Sequence, residues 1–500
     1  MNDGVRLDAL ACIPDGHEPP GGWPGVLIVH GHGDAGSKAA SLERARRYAS
    51  RDYIAVCYSV RGQGGSEGLT FHMGAREIFD IQDVIDWVLR ELSVHPERLA
   101  VVGSSQGGWH SYMAAAHHPG VATVVPENIF TDYAQFAVRN GCLTRWFFTR
   151  TMRRRIMSAG LQGLARQWAL GGEWWRLQEW VRPTSPRLFV KRIRCPIFIL
   201  HGWHDMGMPP NEVIALFDAL DAPKKLYLGG GGHDGEDTPE AEELRQGLID
   251  RWLAHWLQGE ENGILDEPPI LYAQRPGWEH VPVDALPPHD VTSHTLYLRL
   301  DGALSANPPE EPTANANVNN VPLNPDYTLQ SAIYDDMAGV ADGLARELLS
   351  FESEPLEGAQ GDVQSAGVEI LGAPHVRLYM LSNQPFFQVH AELYDMAPDG
   401  TATLITRGHY GTRTAQPGQH ITVDIECRTI GYLVESGHRS ATMTPTMSSP
   451  TSSHFAPGSI TTMPGPRPST SPFVLHKNLG HRGHREDTEK TEYMATAKMI

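Results

Sequence analysis

Leu99-Ala100-Val101-Val102-Gly103-Ser104-Ser105-Gln106-Gly107-Gly108 decides how this chain of 500 residues is read. Its first four residues are a short apolar run of strand-forming type. Residues 108–117 (GWHSYMAAAH) are Ala-rich and compatible with a helix. Between them stands Gly-x-Ser-x-Gly with Ser105 at the centre. A strand-turn-helix junction of this kind holds its serine in a strained conformation and exposes the hydroxyl. Glycines at 103 and 107 remove the Cβ atoms that would otherwise clash. Five letters are a weak signal in a chain with 50 glycines, so the context carries the weight.

Outward from this elbow, residues 1–258 alternate short apolar runs with amphipathic segments. Strands are expected at 26–29, 53–59, 99–102, 121–125, 196–200 and 225–228, and helices at 41–49, 75–92, 106–117, 211–220 and 239–257. In the second of these helices Ile78, Ile81, Val84, Ile85, Val88 and Leu89 recur at helical spacing and make one apolar face. Strands that alternate with helices pair in parallel through crossovers, which predicts an α/β sheet covered on both faces. Residues 130–192 interrupt the alternation with Trp146, Trp168, Trp174, Trp175, Trp180 and the cluster Arg153-Arg154-Arg155. They read as a helical insertion, either packed as its own core or lying as a cap over a site, because ligands bind at the carboxyl ends of parallel strands.

From residue 265 the texture changes to short β-rich runs separated by Pro, Gly, Asp and Asn, at 269–273, 295–300, 376–381, 387–393, 403–406 and 420–425. That spacing predicts an antiparallel β-sandwich over 265–439. Residues 307–324 are Pro/Asn-rich and read as an exposed loop. Residues 440–500 are dominated by Ser, Thr and Pro and then by charge, and read as a disordered or aberrant tail whose histidines are solvated.

Composition narrows the function classes. A net charge of −18 excludes a nonspecific nucleic-acid binder, which needs a basic surface. No apolar run approaches membrane-span length, so no membrane partner is expected. Cys12, Cys57, Cys142, Cys195 and Cys427 are odd in number and scattered, as reduced thiols are, and the N-terminus has no basic-then-apolar signal; the expected compartment is the cytoplasm.

A serine needs a base to take its proton, and the base needs an orienting acid. The expected strand at 196–200 runs into His201-Gly202-Trp203-His204-Asp205, and the one at 225–228 into Gly229-Gly230-Gly231-Gly232-His233-Asp234-Gly235. Asp205 and His233 therefore stand just past strand ends, in the order Ser, Asp, His that an α/β-hydrolase uses. His204 precedes Asp205 and breaks that order, Asp234 is too close to His233 in sequence to face it, and Asp221 reads as a helix-end residue. Oxyanion donors are expected from the backbone N–H of Gln106, which opens a helix, and from His32 in the loop His30-Gly31-His32-Gly33, with Gly33 the rival. The competing chemistry is a metal site: His30, His32 and Asp34 match the first three ligands of an H-x-H-x-D-H pattern, but Ala35 stands where the last histidine belongs.

Taken together these residues resemble the X-prolyl dipeptidyl-peptidase and cocaine-esterase-like serine hydrolases. The similarity runs through Asp3-Gly4-Val5-Arg6-Leu7-Asp8, HGHGDAGSK at 30–38, Arg61-Gly62-Gln63-Gly64-Gly65-Ser66-Glu67-Gly68, the elbow, Ser185-Pro186, the Asp205 loop and GGGGHDG at 229–235. It continues through LLSFESEPL at 348–356, GAPHVRLYML at 372–381, Ile405-Thr406-Arg407-Gly408 and Gly437-His438-Arg439. The resemblance implies an α/β-hydrolase core, a C-terminal jelly-roll-like domain, and hydrolysis of esters or amides through an acyl-enzyme at Ser105. Several relatives place a tyrosine near the oxyanion loop where this chain has His-Gly-His-Gly, so the second donor here is expected from the backbone. Relatives carry a further strand before Asp3, which leaves room upstream for an export signal. The resemblance stops after Arg439, as a shifted reading frame would make it stop.

The expected protein is thus a serine hydrolase with Ser105 as nucleophile, His233 as base and Asp205 as orienting acid, needing no metal or organic cofactor. Its expected substrate is a small ester, amide or short peptide. A carboxylic-ester hydrolase is the first expectation and an X-prolyl dipeptidyl-peptidase the alternative, ahead of a metal-dependent hydrolase or a binding protein on the same fold.

Overall fold

A computed structural model describes the chain apart from residues 33–35, 145–146, 148–158, 206, 234, 300, 308–314, 320–348, 357–366, 383–384, 445–458, 463–475, 478–494 and 500. The chain divides into two compact units, one made of Met1–Val138, Leu143–Ala273 and His280–Ala285, the other of Arg139–Cys142, Gln274–Glu279 and Leu286–Ile500.

The first unit is built on β1 (Ala9–Cys12), β2 (Trp23–Val29), β3 (Ile54–Tyr58), β4 (Val94–Ser104), β5 (Thr123–Glu127), β6 (Ile197–Gly202), β7 (Lys224–Gly229), β8 (Ile270–Gln274) and β9 (Glu279–Val283). They lie in the order β1-β3-β2-β4-β5-β6-β7-β8-β9. β1 is antiparallel to β3, and every pairing from β3 through to β8 is parallel. After β2 the chain goes first to one side (β3) and then to the other (β4). The loops that follow β2 and β4 therefore diverge at a switch point, where open parallel sheets form their ligand crevice.

Helices α1 (Leu42–Ala49), α2 (Ala75–Glu91) and α3 (Gln106–His117) follow β2, β3 and β4. Short α4 (Tyr133–Ala137), α5 (Ala159–Gly171) and α6 (Trp174–Val181) lie between β5 and β6, α7 (Asn211–Ala219) follows β6, and α8 (Pro239–Leu253) follows β7. Ala45 and Tyr48 of α1 and Leu248, Ile249, Trp252 and Leu253 of α8 form one core with Val26, Ile28, Ala55, Cys57, Ala100 and Val102 of the strands. Ile81, Ile85 and Val88 bury the apolar stripe of α2. α3 is buried all round from Gln106 to Ala116, as an apolar helix at the centre of a sheet must be.

Two expected boundaries move. β4 begins five residues before Leu99, because Pro96, Glu97 and Arg98 hide strand structure behind a polar, proline-containing run. The run at 269–273, expected to open the β-sandwich, is β8 and pairs in parallel with β7.

The second unit is β-rich. His375–Ser382 pairs with His420–Glu426, and Phe387–Met396 with Ala402–Thr412. Strand alternation sends Val376, Leu378, Met380, Val389, Ala391, Val423 and Ile425 into one apolar core. The expected boundary at Arg439 falls at the start of a strand: Arg439–Thr444 lies between Leu349–Ser353 and Phe387–Met396. Ser440 and Ala441 are both fully buried there, and the Ser440 N–H donates to Ser353 Oγ at 2.9 Å. Their Ser/Thr texture concealed them because small residues meet the demand of a tightly packed central strand. Ala495–Met499 also pairs, with His294–Leu298 and His375–Ser382. The segment read as a loop at 307–324 contains a strand, Asn315–Asn319, and otherwise lies mostly outside the described residues.

Candidate active site

Ser105 occupies the turn between β4 and α3 with φ 55 and ψ −122. This is a conformation a non-glycine residue adopts only when its surroundings impose it. The Ser105 N–H donates to Glu127 O at 2.9 Å, and Ser105 O accepts from Trp109 N at 3.1 Å. A Cβ at Gly107 would run into the Val29 carbonyl at the end of β2, and one at Gly103 would meet the same oxygen at 2.5 Å. That close approach is why both elbow positions require glycine.

The loops after β6 and β7 supply the other two groups. His233 Nε2 lies 3.0 Å from Ser105 Oγ, and His233 Nδ1 lies 2.6 Å from Asp205 Oδ2. Asp205 is fully buried, and its Oδ1 accepts from Gly207 N at 3.1 Å and Met208 N at 3.0 Å. Burial alone would push this carboxyl up in pKa. The charge and hydrogen bond of His233, the charge of His201 and the Met208 N–H outweigh it and hold Asp205 below its ordinary range. An ionised Asp205 requires Nδ1 of His233 to carry the proton, leaving the Nε2 lone pair aimed at the Ser105 hydroxyl. The three residues named from sequence are therefore assembled into one hydrogen-bonded chain.

Gln106 is the first residue of α3, so its N–H lies at the positive end of that helix. The loop after β2 runs against the nucleophile: a Cβ at Gly31 would lie 3.5 Å from Ser105 Cβ. His32 follows, with its ring edge-to-face on His72 at 4.9 Å. Gly33 and Asp34 lie outside the described residues.

The metal pattern fails on His30. Its Nε2 accepts from Val60 N at 2.9 Å and its Nδ1 donates to Gly31 O at 2.8 Å, so neither nitrogen has a lone pair to give a metal. Among the described residues no group of three or more His, Cys, Asp or Glu is placed to hold an ion. Of the rivals for the acid, Asp221 pairs with Lys191 at 3.0 Å on the surface, and Asp234 lies outside the described residues.

The insertion contributes an aromatic cluster that the tryptophan count did not foresee. Phe130, Tyr133, Phe136 and Phe147 are buried together, Phe130 stacking on Tyr133 at 4.4 Å and on Phe136 at 4.6 Å. Tyr133 OH bonds to His72 Nδ1 and donates to His72 O at 2.8 Å, linking the cluster to the wall beside His32. Trp174 is buried and Trp175 is 53% exposed, so the tryptophans do not act as one core; Trp146 and Arg153-Arg154-Arg155 lie outside the described residues.

Sequence reasoning missed Asn128, the residue after β5. It is buried with φ 45, its Oδ1 accepts from Gly202 N at 3.1 Å, and its Nδ2 donates to His233 O at 3.1 Å. An asparagine after a strand is common enough in loops to carry no signal by itself.

Among the described residues no helix is long and apolar enough to cross a membrane. Comparison with known proteins matches the chain to the model of the X-Pro dipeptidyl-peptidase (S15 family) over residues 3–174 and 161–235. The model of the X-Pro dipeptidyl-peptidase C-terminal non-catalytic domain matches residues 262–478, which carries similarity past Arg439. A Bacillus cereus protein provisionally named a Xaa-Pro dipeptidyl-peptidase is 21% identical over 268 residues, 47% of this chain and 44% of that protein. The chain thus aligns with less than half the length of that curated relative. Among solved structures, an aminopeptidase from a marine sediment Thaumarchaeota archaeon has a TM-score of 0.68 at 18% identity, covering 92% of each chain. A CocE/NonD family hydrolase from Staphylococcus aureus has a TM-score of 0.67 at 14% identity, covering 100% of this chain and 89% of that one. An α-amino acid ester hydrolase gives 0.67 at 18%, covering 92% of each.

Proposed function

Because this chain belongs to the X-Pro dipeptidyl-peptidase (S15) family and carries that family's C-terminal non-catalytic domain, we propose that it is a serine hydrolase cleaving small carboxylic esters at Ser105. The observation that carries the reading is the continuous hydrogen-bonded chain from Ser105 Oγ through His233 to the buried Asp205.

In the proposed mechanism His233 Nε2 takes the hydroxyl proton as Ser105 Oγ attacks the acyl carbon. Asp205 stabilises the imidazolium and fixes its orientation. The backbone N–H groups of Gln106 and His32 hold the developing oxyanion, each contributing about 10²–10³ in rate. As the tetrahedral intermediate collapses, His233 returns the proton to the departing alkoxide. Water then enters, gives its proton to His233 and releases the acid by the same steps in reverse.

An ester rather than a peptide substrate is supported, among the described residues, by the engagement of the carboxylates near His72 and Tyr133 with the protein itself. A dipeptidyl-peptidase needs an anionic or polar anchor for the substrate's free amino terminus. Glu77 is bound to Thr70 Oγ1 at 2.6 Å and Phe71 N at 2.6 Å, and Asp132 to Arg187 at 2.7 Å and to its own helix N-terminus. The family and the names of its relatives favour X-prolyl dipeptides as the second reading. The five free thiols support a reducing compartment, and we propose the cytoplasm.

Labelling by a fluorophosphonate probe, abolished in Ser105→Ala, tests the nucleophile; a folded wild-type protein that does not label overturns the mechanism. Turnover of p-nitrophenyl acetate against Gly-Pro-p-nitroanilide separates the two substrate readings. We expect the ester to be the faster substrate, and faster cleavage of the anilide would replace it with the peptidase.

A further inference from the structure

The loops bearing Ser105, Asp205 and His233 come from three different strands, and nothing in the triad itself fixes the distances between them. All three meet at the end of β5. Glu127 O accepts the Ser105 N–H, and the next residue, Asn128, reaches the end of β6, which leads into Asp205, and the loop of His233. Its backbone N–H donates to Leu200 O at 2.9 Å, and its side chain spans from Gly202 N to the His233 carbonyl. The amide orientation is set by these partners: only the oxygen can accept from Gly202 N–H, and only the NH2 can donate to a carbonyl.

We propose that Asn128 is a positioning residue for the base, its side-chain amide clamping the His233 main chain to the strand that presents Asp205. The proposal rests on the triad reading above and extends it to a residue that never touches substrate. The residue type follows from the geometry. The left-handed backbone at φ 45 is one that asparagine adopts more readily than most other non-glycine residues. Its short amide carries a donor and an acceptor at once. Aspartate would fit the same space and backbone but set a carboxylate oxygen against the His233 carbonyl, converting an attraction into a repulsion. At a site where sub-ångström placement governs proton transfer, loosening the base should lower turnover without altering substrate affinity.

The test uses full-length protein and two variants, Asn128→Asp, which keeps shape and loses the donor, and Asn128→Gly, which keeps the backbone freedom and loses the side chain. With p-nitrophenyl acetate we expect kcat to fall roughly 10- to 100-fold in both, with KM within about twofold of wild type, and the fluorophosphonate labelling rate to fall in parallel. Wild-type kcat and labelling rate in either variant overturns the clamp, as does a raised KM at unchanged kcat. Loss of the native near-ultraviolet dichroism in both variants also overturns it, since Asn128 would then be a residue of the fold and not of base placement. The wild-type control separates the two levels. An unlabelled wild type sinks the triad reading along with the clamp, whereas a labelled wild type with equally reactive variants sinks the clamp alone.

Discussion

At Asp205 burial opposes the charge that the proposed mechanism needs, and the surrounding groups overcome it. One carboxylate oxygen is held by Gly207 and Met208 N–H, the other by His233. Asp205→Asn retains an oxygen for the two backbone donors but turns an NH2 toward Nδ1, which forces the imidazole into the tautomer whose Nε2 carries the proton. We expect kcat on p-nitrophenyl esters to fall about 10⁴-fold with the fold intact, and a loss below tenfold would contradict the orienting role. At this scale Ser105, Asp205 and His233 were legible as candidates, because a hydroxyl, a carboxylate and an imidazole each follow a strand within a turn and stand in triad order. Asn128 was not, because its meaning lies in partners 74 and 105 positions away. Nor was His30, whose ring reads as a ligand until the Val60 N–H is seen to occupy it.

Among the elements, β5 is held by more than its ladder. Glu127, with a side chain 2% exposed, pairs with Arg44 of α1 at 2.6 Å and with Arg245 of α8, tying two helices to the strand that precedes Asn128. Burial would push the Glu127 carboxyl up, but the two guanidinium groups draw it below the ordinary 4.5. A carboxyl depressed on folding stabilises the folded state above its unfolded value. That stabilisation is lost as pH falls from 4.5 through the lower folded value. Glu127→Gln removes the charge, leaving the half-buried Arg44 without its carboxylate and Arg245 with Glu242 alone at 2.9 Å, at a cost of about 3–5 kcal/mol near neutral pH. Urea melts of both proteins from pH 7 to pH 3 should show the gap narrowing on acidification, and a constant gap would assign the loss to packing. The elements themselves were legible to within a few residues where periodicity was clean, as in α2 and α3. Legibility failed where composition masked geometry: the polar start of β4, and β8, whose apolar run says strand but not which sheet it joins.

For the whole molecule, the sharpest disagreement concerns residues 440–500. A strand beginning at Arg439, flanked on both sides and carrying fully buried Ser440 and Ala441, is part of the second unit's sheet. A chain ending at Arg439 would leave Leu349–Ser353 and Phe387–Met396 with open edges toward each other, and unpaired edges recruit other chains. We expect that truncation to move the protein largely into the insoluble fraction on expression, judged beside the full chain; equal solubility would show the strand to be dispensable. By itself the amino-acid order determined the α/β class of the first unit, the β class of the second, and the Ser-Asp-His succession, because periodicity, elbow glycines and strand ends are signals spanning a few residues. Tertiary structure decided what those signals could not carry. It brought Ser105 and His233 within 3.0 Å across 128 positions, occupied His30, tied the end of β6 to the His233 loop through Asn128 and set a polar stretch as a central strand. Each of these depends on which distant backbone groups the packed sheet brings within hydrogen-bonding reach.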